Sequence, residues 1–293
     1  MVRTLTQLCT VIIKHHKMNR ILVPTDFSNF AFEASKTAAE IARKNNAELV
    51  FLHVVALPSY ETGVLPYQDA QNIAENLFIL KLVRKNFEKL FASNFLKGLK
   101  VVEAISYSAV YDSITENTDK HGIDLIVMGT HGTSGYINDY FIGSNTDKVI
   151  RKSSVPVMAV KTFQGGSFNK ILFAGDFSDS LEHNFDAIKS FAASYQAELL
   201  LLHVVTKGDF YYTAPMMHRI DDFAKKNDLK NYSCHVFNAE SVQQGINEFA
   251  HMHQVDLIAT ITSGRSGLSR LLNGSVTQDV VHNVDLPVFT VKG

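Results

Sequence analysis

The chain repeats itself. ILVPTDFS at 21–28 returns as ILFAGDFS at 171–178, and AELVFLHVV at 47–55 returns as AELLLLHVV at 197–205. DLIVMGTHG at 124–132 answers DLIATITSG at 256–264, and VPVMAVK at 155–161 answers LPVFTVK at 286–292. Four matches in one order leave a single architecture, one unit folded twice. TFQGGSFN at 162–169 joins the copies, its paired glycines marking a turn. The expected organisation is a domain at 19–162, a second at 169–293, and an extension at 1–18 before them.

A length of 293 residues lets each copy bury its own core. With 46% hydrophobic and 19% charged residues, the composition is that of a packed globular protein. The 28 basic residues against 29 acidic ones create no field to recruit nucleic acid or an acidic membrane face. No apolar run in the sequence is long enough to span a bilayer. Cys9 and Cys234 supply neither a disulfide framework nor a CxxC metal spacing, so a reducing cytoplasm is the expected location. In MVRTLTQLCTVIIKHHK at 1–17 the apolar stretch is interrupted by Thr and Gln and ends in no small-residue cleavage site. Met18, just before the first strand, is the expected native start.

Each copy reads strand, helix, strand. ILVP, ELVFLHVV, KVVEAISY, DLIVMG and VPVMAV are short and almost wholly apolar, as strands buried on both faces must be. Phe30, Ala34, Ala38, Ile41 and Ala42 follow helical spacing, with Ser28 or Asn29 placed to cap the start. Leu181, Phe185, Ile188, Ala192 and Tyr195 repeat that spacing in the second copy. Alternating βα units predict an α/β fold with a parallel sheet and helices on both faces. Ligands of such sheets bind beyond the carboxyl ends of the strands, where the strand order reverses.

Three loops of the first copy meet that description: Pro24-Thr25-Asp26, the segment around Val54, and Met128-Gly129-Thr130-His131-Gly132. Gly143-Ser144-Asn145-Thr146 then opens a further helix. Glycine lets main chain approach a ligand, and the unpaired amides of a helix start are a natural seat for phosphate.

With these residues, the chain resembles a tandem universal stress protein. That resemblance implies two Rossmann-like domains of the adenine nucleotide alpha hydrolase-like type, each with a five-stranded parallel sheet. Nucleotide-binding members of the family carry G-x2-G-x9-G-[ST]. Carried over position by position, this implies a site for ATP or AMP, with or without Mg2+, in the first copy. Pro24, Thr25, Asp26 and Val54 would line adenine and ribose. Met128, Gly129, His131 and Gly132 would follow ribose and phosphates, and Gly143, Ser144, Asn145 and Thr146 would bind the phosphates.

The first copy departs from that pattern by ten residues, rather than nine, between Gly132 and Gly143. The extra residue is expected to bulge within YIND and leave Gly143 in place. The second copy keeps Asp176, Gly264, Gly274, Ser275 and Thr277 at the regular spacing. It has Ile261 for Gly129, Ser263 for His131 and Ala174-Gly175 for Pro24-Thr25. A β-branched side chain at 261 would project into the space a sugar phosphate needs, so a weaker second site is expected.

Asp26 and Asp176 suit either a ribose or metal contact or the capping of the following helix. His53 and His203, inside apolar strands, read as structural histidines. His251 and His253 stand two apart on a helix and face different sides, against joint metal binding. Lys148 reads as a solvated side chain. There is no GxxxxGK[ST], GxSxG or HExxH, so a catalytic role is not expected beyond slow incidental ATP hydrolysis. The function these features favour is a nucleotide-binding module that signals stress or nutrient state to a protein partner. The alternative is a scaffold without nucleotide. There the two copies pair through their last strands as an internal dimer, and the chain is open to further homodimerisation.

Overall fold

The computed structural model describes residues 18–55, 66–131, 143–178, 184–207, 213–262 and 285–293, with main chain alone for 66–74. The expected extension at 1–18 lies outside these, apart from Met18.

In the first half the order is β1 (Arg20–Pro24), α1 (Asn29–Asn45), β2 (Glu48–Val54), α2 (Pro66–Phe91), β3 (Lys100–Ser106), α3 (Val110–His121), β4 (Leu125–Gly129), α4 (Ser144–Lys152) and β5 (Val157–Val160). The second half runs β6 (Lys170–Ala174), α5 (Asp186–Tyr195), β7 (Glu198–Val205), α6 (Thr213–Lys226), β8 (Tyr232–Asn238), α7 (Val242–His253), β9 (Leu257–Thr262) and β10 (Val288–Lys292). The described strands form one sheet in the order β3-β2-β1-β4-β5-β10-β9-β6-β7-β8. Every neighbouring pair is parallel except β5 and β10, which run antiparallel with Val288 opposite Ala159 and Thr290 opposite Val157. A parallel sheet between helix layers is thus written twice and sewn together along its last strands.

The apolar runs are explained by where the strands lie. All residues of β4 and β5 are buried, whereas β3 and β8, at the two edges, are mostly half-buried. Successive strand residues point to opposite faces and feed two cores. Ile21, Val23, Leu49, Phe51 and Val127 pack on one face with Ala34, Ala38, Phe87, Phe191 and Phe223 from α1, α2, α5 and α6. Leu22, Val50, Leu52, Ile126 and Met128 pack on the other with Ile114, Val149 and Phe249 from α3, α4 and α7. The first core runs without a break through both halves, and Phe289 of β10 stacks on Phe191 of α5 at 4.9 Å.

Helix boundaries follow the local chemistry. Ser28 caps α1, its hydroxyl accepting from the Ala31 amide at 3.2 Å, and Asn46 ends the helix in the left-handed region at φ 53°. Gln196, at the matching place after α5, does the same at φ 55°. Helix α5 begins at Asp186, later than the repeat predicts; Leu181 lies outside the described residues. In the linker, Gly165 takes φ +99°, as a turn requires, and a Cβ on Gly166 would sit 2.5 Å from the Glu40 side chain. The linker is thereby pressed onto α1. No helix among the described residues is long and apolar enough to cross a membrane.

Candidate functional site

In each half the strand order reverses beside the first strand, which has the second strand on one side and the fourth on the other. Beyond β1 and β4 the chain departs to opposite sides and leaves a crevice there. The β1 end is a tightly bonded loop. The Thr25 amide donates to Leu52 O at 2.8 Å, and His53 Nδ1 lies 2.7 Å from Thr25 O. The Phe27 amide donates to Thr25 Oγ1 at 3.1 Å and the Ser28 amide to Asp26 Oδ1 at 3.0 Å. Asp26 therefore shapes the turn, and the capping of α1 falls to Ser28. Pro24 pairs with Leu52 in the sheet, and Val54, at the end of β2, pairs with Ser106.

This loop turns at Phe27 with φ 62°, a conformation disfavoured for a bulky side chain. Phe177, its repeat counterpart, adopts φ 52°, and there too the Ser178 amide donates to Asp176 Oδ1, at 3.1 Å. His203 Nδ1 lies 3.1 Å from Gly175 O, the counterpart of the His53 contact. Ring packing helps hold the strained residue in each copy: Phe27 lies edge-on to Phe87 at 5.1 Å, and Phe177 to Phe223 at 5.3 Å. The same backbone strain is thus built at the same strand end in both copies. Both histidines tie the end of the second strand of their half to the loop after the first.

The β4 end meets the start of α4. The Gly143 amide donates to Thr130 O at 2.9 Å, and the buried Thr146 hydroxyl donates to Gly129 O at 3.0 Å. Gly143 thus lies against β4 despite the longer spacer; YIND itself is outside the described residues. Gly143 is the N-cap of α4 and provides no side-chain cap, so the first-turn amides of Ser144, Asn145 and Thr146 have no intrahelical acceptor. Ser144 and Asn145 are exposed, whereas Thr146 is buried and its hydroxyl is engaged with Gly129 O. Asp147 in this turn is paired to Arg151 at 2.8 Å, and the Lys148 ammonium rests over the Tyr111 ring at 4.6 Å.

Met128 is buried in the core on the α3/α4 face. The His131 ring packs on Phe30 at 4.9 Å, and its Nδ1 lies 2.9 Å from Thr130 Oγ1. Gly129 is glycine for a reason the motif does not reveal. A Cβ there would lie 2.8 Å from the Phe30 carbonyl carbon and 3.0 Å from its oxygen, in the first turn of α1. The repeat position holds Ile261, which is buried in the core shared with Phe289 and Val291. Among the described residues the Ile261 side chain faces the helix layer at 2% exposure; the loop that follows it, 263–284, lies outside them. Gly132, Gly264, Gly274, Ser275 and Thr277 lie outside the described residues.

Pro24 ends β1 and Thr25 and Asp26 follow it, while Gly129, His131 and Gly143 lie at the end of β4, the strand paired beside it. Each group is held by its own bonds, with Val54 at the end of β2 on the other side. Sequence reading passed over Thr130, whose carbonyl seats Gly143, and Phe30, which dictates Gly129. It also passed over Phe27, although DFS stands at the same place in both copies and could have signalled it. Among the described residues no group of three or more His, Cys, Asp or Glu could hold a metal ion.

Comparison with known proteins agrees with this fold. The universal stress protein family model matches residues 17–161 and again 167–292. Universal stress protein MJ0577 of Methanocaldococcus jannaschii is 30% identical over 155 residues, covering 48% of this chain and 94% of that protein. Universal stress protein Slr1230 of Synechocystis is 23% identical over 293 residues, covering 94% of this chain and 100% of that protein. The crystal structure of a universal stress protein from Archaeoglobus fulgidus has the same fold, with a TM-score of 0.65 at 20% identity over 94% of this chain and 96% of that one. Two successive matches, one on each half of a repeat visible in both sequence and sheet, make this chain a member of the universal stress protein family.

Proposed function

We propose that the first domain, 19–162, binds ATP or AMP and that occupancy reports stress or nutrient state to a protein partner. The observation that carries this reading is the start of α4, where uncapped amides of Ser144, Asn145 and Thr146 are held against the end of β4 by two hydrogen bonds. Such amides, at the positive end of a helix dipole, suit a phosphate chain without help from a basic side chain. Pro24, Thr25, Asp26 and Val54 would line adenine and ribose, with Met128, Gly129, His131 and Gly132 along the ribose and phosphates. Asp26 would contact the ribose or a Mg2+ ion carried by the phosphates. The second domain, 169–293, would bind more weakly, through Asp176, Gly264, Gly274, Ser275 and Thr277. No residue here is assigned to catalysis, so hydrolysis would be slow and incidental, and a cytoplasmic location suits the role.

Titration calorimetry with ATP tests this on wild type and Gly143→Val. The variant should fold, since the nearest neighbour of a Cβ at 143 is 3.5 Å away, while its branched side chain crowds the amides. Binding by wild type and its loss in the variant is the expected result; equal or absent binding in both defeats the reading.

A second reading rests on the β5–β10 pair. The two domains would form an internal dimer whose task is to present a surface, with no nucleotide involved. Purified wild type that carries and binds no nucleotide yet retains a protein partner would favour it.

A further inference from the structure

Helix α2 extends over 26 residues, about 39 Å at 1.5 Å per residue, whereas its counterpart α6 has 14. Val83, Phe87 and Leu90 bury one face of α2 in the core. A second stripe points outward: Glu75, Phe78, Leu82, Lys85 and Lys89 are all exposed and follow the alternating three- and four-residue spacing of a coiled-coil seam. Phe78 is 62% exposed and Leu82 46%, with Leu77 beside them at 53%. Helix α6 offers His218, Asp222 and Lys225 outward, so the repeat itself requires no apolar surface here.

The stripe is complementary to its own reverse. About Leu80, position 75 mirrors 85 and 78 mirrors 82, which sets glutamate against lysine and phenylalanine against leucine. We propose that this chain self-associates through α2, two copies of the helix packing antiparallel about a twofold axis beside Leu80. Phe78 then packs on the partner's Leu82 and Glu75 faces the partner's Lys85, each contact occurring twice as an isologous interface demands. Lys81, on the flank, approaches its own mate, so the favourable charge balance rests on the two Glu–Lys pairs. The last strands are unavailable for pairing between chains, because β5 and β10 each already have a neighbour on both sides. The proposal is independent of nucleotide binding.

Sedimentation equilibrium of the full chain over a range of concentrations tests it. Wild type should show a monomer–dimer equilibrium, and Phe78→Glu should raise the dissociation constant at least tenfold with unchanged circular dichroism. Glu75→Lys and Lys85→Glu should each weaken association, and the double variant should restore it. A monomer at every concentration, a dimer indifferent to these changes, or a double variant no better than the singles overturns the proposal.

Discussion

Gly129→Ala distinguishes a glycine kept for packing from one kept for a ligand. The added methyl would lie 2.8 Å from the Phe30 carbonyl carbon and 3.0 Å from its Cβ and oxygen. The carbon and oxygen are main-chain atoms in the first turn of a buried helix. Relief needs α1 to move by about half an ångström, which costs ~1–3 kcal/mol as overpacking generally does. Ile261→Ala, at the repeat position, errs in the other direction. It empties a side chain that is 2% exposed and should cost ~2–5 kcal/mol. Gly143→Ala is the control: its nearest neighbour is 3.5 Å away, and the change at an N-cap should stay within ~1 kcal/mol. The chain has no tryptophan, so urea unfolding without nucleotide is followed by far-ultraviolet circular dichroism. Two domains need not unfold in one step, so midpoints are compared transition by transition. If Gly129→Ala unfolds at the wild-type midpoint and loses only nucleotide binding, the packing account of this glycine is wrong.

Two further outcomes follow from the bonding. Thr146→Val removes the donor to Gly129 O in a buried setting and should lower stability by ~1–2 kcal/mol; an unchanged melting temperature would show that this bond does not anchor α4. Burial, and then the neighbouring His253, hold the His235 imidazole below its ordinary value of 6.5. An unfolded chain therefore takes up this proton more readily, so the stability present above about pH 6.5 declines as pH falls toward the lower folded value. Midpoints measured against pH for wild type and His235→Gln should converge on acidification, and parallel curves would remove His235 as a cause.

Much of the fold was legible because burial on both faces leaves strands an unmistakable apolar signature, here printed twice. A cap at Ser28 or Asn29 was legible from their place before an apolar helical period, and the structure gives the role to Ser28. What escaped was chemistry that sequence neighbours do not carry. Gly129 answers to Phe30, ninety-nine positions earlier, and a motif centred on glycines cannot distinguish that demand from a ligand's. The strained turns at Phe27 and Phe177 were hidden because a bulky side chain is not expected at positive φ. The fate of the longer spacer was readable only at its ends, through the contact of Gly143 with Thr130. The outward stripe on α2 was invisible until its other faces were known to be occupied.

The seam between β5 and β10 has a directional consequence. Because the two parallel halves meet head to tail, the crevice of the first opens on one rim of the sheet and that of the second on the opposite rim. No small molecule can span both. Any cross-talk between them would pass through the β5–β10 seam and the two cores that run across it, one on each face of the sheet.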